Sequence, residues 1–150
     1  MSYLYYMNNK NEIKFELKEV NENQIMEIDG ISFSNIVYIL IFVDEVNLFT
    51  LDFFQDSFVV FKELKNSILK SDKYLLFTGV SGIADDAGWE YVDVFHDATS
   101  VVWNIRRDNA FVNYTFDRKR YFNEISKIVK RIESINSIFI LEPLHVVYPE

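Results

Sequence analysis

The stretch GVSGIADDAGWEYVDVFHDA, residues 79–98, gathers the residue types most able to do chemistry. It holds Gly79, Gly82 and Gly88, three of the chain's four glycines. It also holds Asp85, Asp86, Glu90 and Asp93 ahead of His96, Asp97 behind it, and Trp89. Glycines beside polar residues raise the question of phosphate binding. The GKS/T ending of a phosphate loop and the G-x-G-x-x-G dinucleotide pattern are both missing, and Asp85 and Asp86 would repel phosphates. Clustered carboxylates raise the question of a cation. An EF-hand loop needs oxygen ligands at alternating positions with a Gly and a closing Glu at fixed places, and DDAGWEYVDVFHD does not match. Glu90 and Asp93 are three apart on an expected strand and so face opposite sides. Neither a metal nor a cofactor is expected. His96 beside Asp97 suggests an acid–base dyad, yet strand neighbours point apart, so Asp97 cannot orient the ring unless the turn bends it back. No G-x-S-x-G elbow is present. A pair of His96 and His145 would lack a basic phosphate site. The chain is therefore expected not to be an enzyme, with each histidine a strand-end residue making one hydrogen bond.

What remains is charge. Between Tyr74 and Ile105 there are five carboxylates and neither Lys nor Arg. A patch of one sign steers basic partners toward it. Trp89, directly after Gly88, either closes the end of the core or, ringed by carboxylates, forms a hot spot for Arg or Lys. Asp85, Asp86, Trp89, Glu90, Asp93 and Asp97 are the expected partner-binding residues. Further on, Arg118, Lys119 and Arg120 fall in the first turn of an expected helix. Cations there oppose the helix dipole at about 0.3–1 kcal/mol each, unless they pair with sheet carboxylates or a partner.

The rest of the chain limits the readings. It has 150 residues, 49% of them hydrophobic and 17% aromatic, no cysteine, and a net charge of −8. That composition predicts one packed domain over residues 1–150. The lack of cysteine excludes disulfides, thiol catalysis and Cys-ligated metals, and fits the cytoplasm. Residues 1–60 carry ten carboxylates against three lysines. Nucleic acid and anionic lipid, which are held through Lys and Arg, are not expected partners. MSYLYYMNNKNEIK shows no leader pattern. The longest apolar run, Ile36 to Val43, falls far short of the roughly 20 residues of a membrane-spanning helix.

The elements that must position these residues follow from periodicity. EIKFELKEV alternates as a half-buried strand, and QIMEIDG reads as its hairpin partner across a turn at Asn21–Asn23. Residues 34–47 are ambiguous. Ser34 as N-cap with Ile36, Ile39, Leu40, Val43 and Val46 predicts a helix, whereas the β-branched content fits a buried strand. The helix is preferred. Phe58, Phe61, Leu64 and Ile68 predict a helix over residues 56–70, and YLLFTG a short buried strand. Residues 90–96, 99–107 and 110–116 read as an antiparallel meander, with Asp108-Asn109 as one turn. Tyr121, Ile125, Ile128, Ile132 and Ile135 define one face of a helix that Asp117 caps, with Glu124 pairing to Lys127 or Lys130. SIFILEPLHVVYPE returns as a last strand, placed at an edge by Pro143. The class is α+β: a mainly antiparallel sheet with helices packed on one face.

In layout and composition, GIADDAGWEYVDVFHD together with SVVWNIRRDNAFVNYTFDRKRYFNEISKIV resembles the small acidic immunity proteins of bacterial contact-dependent growth inhibition and polymorphic toxin systems. The resemblance covers about residues 79–133. It implies a non-enzymatic, cytoplasmic protein that neutralises a cognate toxin domain, basic and often a nuclease, by tight one-to-one binding. It transfers no fixed residues. Two other readings stand beside it: a small-ligand binder or hydrolase using His96 and a carboxylate in a pocket between helices and a curved sheet, and a regulatory subunit that binds through a sheet edge such as the Pro143 strand.

Overall fold

The computed structural model describes residues 10–135 and 138–149. The first nine residues of the segment inspected for a leader lie outside this range, as do Ser137 and Glu150 at the ends of the expected last strand. Among the described residues, twelve strands and two helices alternate in an α+β order.

The meander forms as its period of two dictates. Strands β9 (Val92–His96), β10 (Ser100–Arg107) and β11 (Ala110–Asp117) pair antiparallel, and β7 (Asp72–Tyr74) completes the order β11-β10-β9-β7. Val101, Trp103 and Ile105 point inward with Val92, Val94 and Phe116, all buried. Helix α2 (Arg118–Glu133) follows, and its N-cap Asp117 accepts from the Arg120 backbone N–H at 3.1 Å. Its Tyr121, Ile125 and Ile128 are buried in the core that the sheet lines. Helix α1 (Phe61–Asn66) contributes Leu64 to the same core.

Both helices meet the inner face of this sheet through one hydrogen-bonded chain. Trp103 Nε1 donates to Tyr121 Oη at 3.1 Å, and Ser67 Oγ lies 2.6 Å from Tyr121 Oη and donates to the Leu64 carbonyl at 2.6 Å. Ser67 has one hydroxyl hydrogen and uses it on Leu64, so Tyr121 donates to Ser67. The Trp103 N–H and the two hydroxyls of this hydrogen-bonded series are then all satisfied.

The first half of the molecule departs from expectation at three places. The partner of β1 (Ile13–Val20) is β4 (Ile36–Val43), over eight residue pairs from Ile13↔Val43 to Val20↔Ile36. Strand β2 (Met26–Ile28) pairs instead with β3 (Ile31–Phe33). The turn between those two is Asp29-Gly30, both at positive φ (50° and 77°), the geometry of a tight two-residue hairpin.

Residues 34–47 form strands, not a helix. Val37, Ile39, Ile41 and Val43 are buried on one side of β4, and Ile36 is buried on the other with Tyr38, Leu40 and Phe42 half-covered. A run apolar on both faces carries no alternation, and that is why the pattern imitates a helix. Asp44 and Glu45 (φ 51° and 69°) turn the chain tightly into β5 (Val46–Asn47).

The expected helix over 56–70 shortens to α1. Strand β6 (Ser57–Val59) precedes it and pairs with β8 (Phe77–Gly79). Phe58, Val59 and Val60 are all buried, and three consecutive buried residues cannot share one helix face.

At the C-terminal end, β12 (Ile140–Leu141) joins β4 in parallel at the edge of the first sheet, just before a cis Glu142–Pro143 bond. One hydrophobic cluster draws on β1, β4, β9, β10, β11 and both helices. A smaller cluster of Val20, Phe33, Ile36, Phe58 and Val80 lies with the β2–β3 hairpin.

Candidate partner-binding face

The glycine-rich loop is shaped by close approach. Gly82 (φ 85°) lies against the His145 carbonyl and Gly88 (φ 76°) against the Asp108 carboxylate, with no room for a Cβ at either position. Hydrogen bonds from Val147 N to Gly82 O and from Ala84 N to Val147 O tie this loop to the C-terminal segment.

Trp89 is not an exposed anchor. It is 1% exposed, its Nε1 donates to Ser57 Oγ at 2.8 Å, and it stacks on Phe77 at 4.8 Å. Its ring closes the core beneath the acidic loop and has no free area for a partner. What holds it there is a cation that the sequence pattern does not suggest. The Arg107 guanidinium lies 4.7 Å from the Trp89 ring centroid. Its Nε donates to the Ala87 carbonyl at 2.9 Å, and its Nη1 to the carbonyls of Phe53 at 2.9 Å and Gln55 at 2.8 Å. Desolvation lowers the Arg107 pKa from its ordinary value, and the charges of Asp108 and Asp56 oppose that shift.

The expected acidic patch divides. Asp85 and Asp86 are exposed on a single 3₁₀ turn, Asp85–Ala87, and neither has an ion-pair partner among the described residues. Glu90 is exposed, also without an ion pair among the described residues. Asp93 projects from the outer face of β9 and is paired with Lys73 at 2.8 Å. Asp97 accepts from the backbone N–H groups of Thr99 at 2.9 Å and Ser100 at 2.8 Å, and these bonds hold its carboxyl below the usual carboxylate range. It shapes the β9–β10 turn and does not touch the His96 ring.

Three adjoining depressions share Asp56, and carboxylates from distant parts of the chain meet there. Asp29, Asp56, Asp85, Asp86 and Asp108 line a cleft of about 290 Å³, with Arg107 as its one cation. Asp52 adds to a second depression of about 600 Å³, and Glu27 to a third of about 470 Å³. Asp29, Asp56 and Asp108 all sit at positive φ (50°, 55° and 54°), in tight turns where a short polar side chain tolerates the left-handed region. None of these carboxylates forms an ion pair among the described residues. Arg107 reaches main-chain carbonyls instead.

His96 makes two side-chain hydrogen bonds where one was expected. Nε2 lies 2.7 Å from the Ser67 carbonyl and Nδ1 lies 3.1 Å from Arg118 Nη1. A carbonyl only accepts and a guanidinium only donates, so the ring is the neutral tautomer with its hydrogen on Nε2. Neither ring nitrogen hydrogen-bonds a carboxylate, and no acid–base pair is assembled there. Arg118 also lies over the Phe122 ring at 4.7 Å, and Arg120 donates to the Ile13 carbonyl at 3.2 Å. Two of the three first-turn cations thus bind the helix start to the sheets. Among the described residues, no group of three or more His, Cys, Asp or Glu could hold a metal ion, and no helix is long and apolar enough to cross a membrane. An apolar depression of about 560 Å³ lies elsewhere, between the start of α1 and residues 139–148, lined in part by Phe61, Leu141, Leu144 and Tyr148.

No protein-family model matches the chain, and neither a curated protein nor a solved structure matches it at a significant level.

Proposed function

We propose that the chain is a non-catalytic binding module that captures a basic protein through the carboxylate face centred on Asp56. Among binding modules, the layout resemblance favours an immunity protein that neutralises a cognate toxin domain in the cytoplasm. The carrying observation is that, among the described residues, exposed carboxylates from four separate turns face one surface without ion-pair partners, while the only cation lining the cleft, Arg107, is engaged with main-chain carbonyls. A surface of this kind speeds encounter with a basic partner and sets the orientation of docking.

The test is purification of the tagged chain from its native host at low and high salt, looking for a stoichiometric basic protein. Asp56→Asn/Asp85→Asn/Asp86→Asn is expected to slow association with that protein about tenfold or more at low salt, with a smaller effect at high salt. A captured partner whose association ignores both salt and these three charges would overturn the reading. So would stoichiometric capture of an acidic partner.

A further inference from the structure

The depression of about 470 Å³ beside Asp56 differs from the rest of the acidic face, because its inner wall is apolar and aromatic. Tyr38, Leu40 and Phe49 are half-buried along it, while Glu27, Asp29 and Asp56 are exposed around it. Tyr38 and Leu40 come from the outer face of β4, opposite the residues committed to the main core. The Tyr38 ring is held by Phe58, 5.3 Å away between centroids, and its hydroxyl has no hydrogen-bond partner among the described residues. Burial pushes the Tyr38 phenol pKa up, so the hydroxyl stays neutral.

We propose that this depression receives one arginine side chain of the basic partner, an assignment that rests on the partner-binding reading above. The aliphatic stem would cover Leu40, the planar guanidinium would lie on an aromatic ring, and its N–H groups would reach Asp29, Asp56 and the Tyr38 oxygen. An apolar wall alone would accept any hydrophobic side chain, and carboxylates alone would accept any cation. The combination selects a long side chain with an apolar stem and a cationic end. Arginine suits it better than lysine, because guanidinium is planar, more weakly hydrated and able to stack while it forks to a carboxylate.

The test is an NMR titration of the intact chain with N-acetyl-arginine-N-methylamide, alongside its lysine and citrulline counterparts. Saturable shifts are expected at Tyr38, Leu40 and Phe49, with an affinity in the millimolar range suited to a single side chain. Citrulline, isosteric but neutral, should bind about tenfold more weakly. Asp56→Asn, which keeps a residue tolerant of φ 55°, should weaken arginine binding about two- to fivefold. Asp93→Asn, on the outer face of the other sheet, should leave it unchanged. Thr50→Arg places a cation of the chain's own at the pocket wall and should abolish binding.

Equal binding of citrulline, tighter binding of lysine, or shifts that do not saturate would overturn the assignment. The partner assay separates its failure from that of the wider reading. Capture that survives Thr50→Arg but is lost in Asp56→Asn/Asp85→Asn/Asp86→Asn refutes the arginine pocket and leaves the acidic face standing. Capture indifferent to both refutes the face as well.

Discussion

Replacing Arg107 is the most direct test of how the acidic face is held. The side chain makes three hydrogen bonds to the carbonyls of Phe53, Gln55 and Ala87 and lies over Trp89. Hydrogen bonds from a charged donor contribute about 1.5–3 kcal/mol each when water is excluded. Arg107 is only partly buried, so water replaces much of what is lost and roughly half of that sum is retained. The contact with Trp89 adds about 1 kcal/mol. Arg107→Ala is therefore expected to cost about 3–5.5 kcal/mol, a large share of the stability of a domain this size. Arg107→Met keeps the stem on Trp89 but loses the donors, and should cost about 2–4.5 kcal/mol. Arg107→Lys keeps the charge but cannot reach three carbonyls at once, and should cost about 1–2 kcal/mol. Urea unfolding followed by far-UV circular dichroism gives the three values, provided the slope against urea is unchanged. A loss below about 1 kcal/mol for Arg107→Ala would show that the carbonyls are satisfied without the guanidinium. The stacking argument fails separately if Met is no better than Ala.

Three further outcomes follow from single groups. Tyr121→Phe leaves the Trp103 N–H without an acceptor and the Ser67 oxygen without a donor in the core, and should cost about 1–3 kcal/mol in urea unfolding; an unchanged midpoint would show that the chain of hydroxyls is not needed. Thr78 is fully buried and its hydroxyl oxygen has no partner among the described residues, so Thr78→Val should raise stability by about 1 kcal/mol; a loss of stability would mean that the hydroxyl is satisfied. The Asp97 carboxyl titrates below its ordinary range because Thr99 and Ser100 donate to it. Its contribution is present above the unfolded carboxylate pKa of about 3.9 and is lost as pH falls through the lower folded value. Asp97→Asn should accordingly lower the melting temperature at neutral pH and flatten its fall in acid, and parallel acid slopes for the two proteins would refute this.

Legibility in the sequence followed the number of faces an element exposes. Strands β9 to β11 have one face in the core and one in solvent, and α2 has one buried stripe; both periods are plain in the chain. Strand β4 has no polar face to reveal its period, and β6 is too short to establish one. The site was legible only in part, for a related reason. The carboxylates between 85 and 97 are close in sequence, yet strand alternation sends Asp93 outward to Lys73, and the β9–β10 turn draws Asp97 onto backbone N–H groups. Asp29 and Asp56, which do join Asp85 and Asp86, come from loops whose proximity depends on pairings at long range. Trp89 drew attention by its acidic neighbours, but nothing local indicated that Arg107 would cover it from the end of β10.

Concentrating carboxylates on one face carries a cost for folding, because like charges repel and each must be kept from a partner within the chain. Two features offset it. Most of these carboxylates are aspartates on tight turns, three of them at positive φ, so short side chains on rigid backbone are presented with little entropy to lose on docking. Arg107 sits at the cleft between Asp56 and Asp108, where its charge relieves their repulsion while its donors go to main-chain carbonyls. A bound guanidinium or ammonium would relieve the same repulsion from outside. On the proposed reading, fold stability and partner affinity would be coupled through one set of charges. Removal of the Arg107 charge should weaken the fold more at low salt than at high salt, and should make a basic partner correspondingly more stabilising. Such coupling, if measured, would distinguish a face built around a partner's charge from one that is acidic only for solubility.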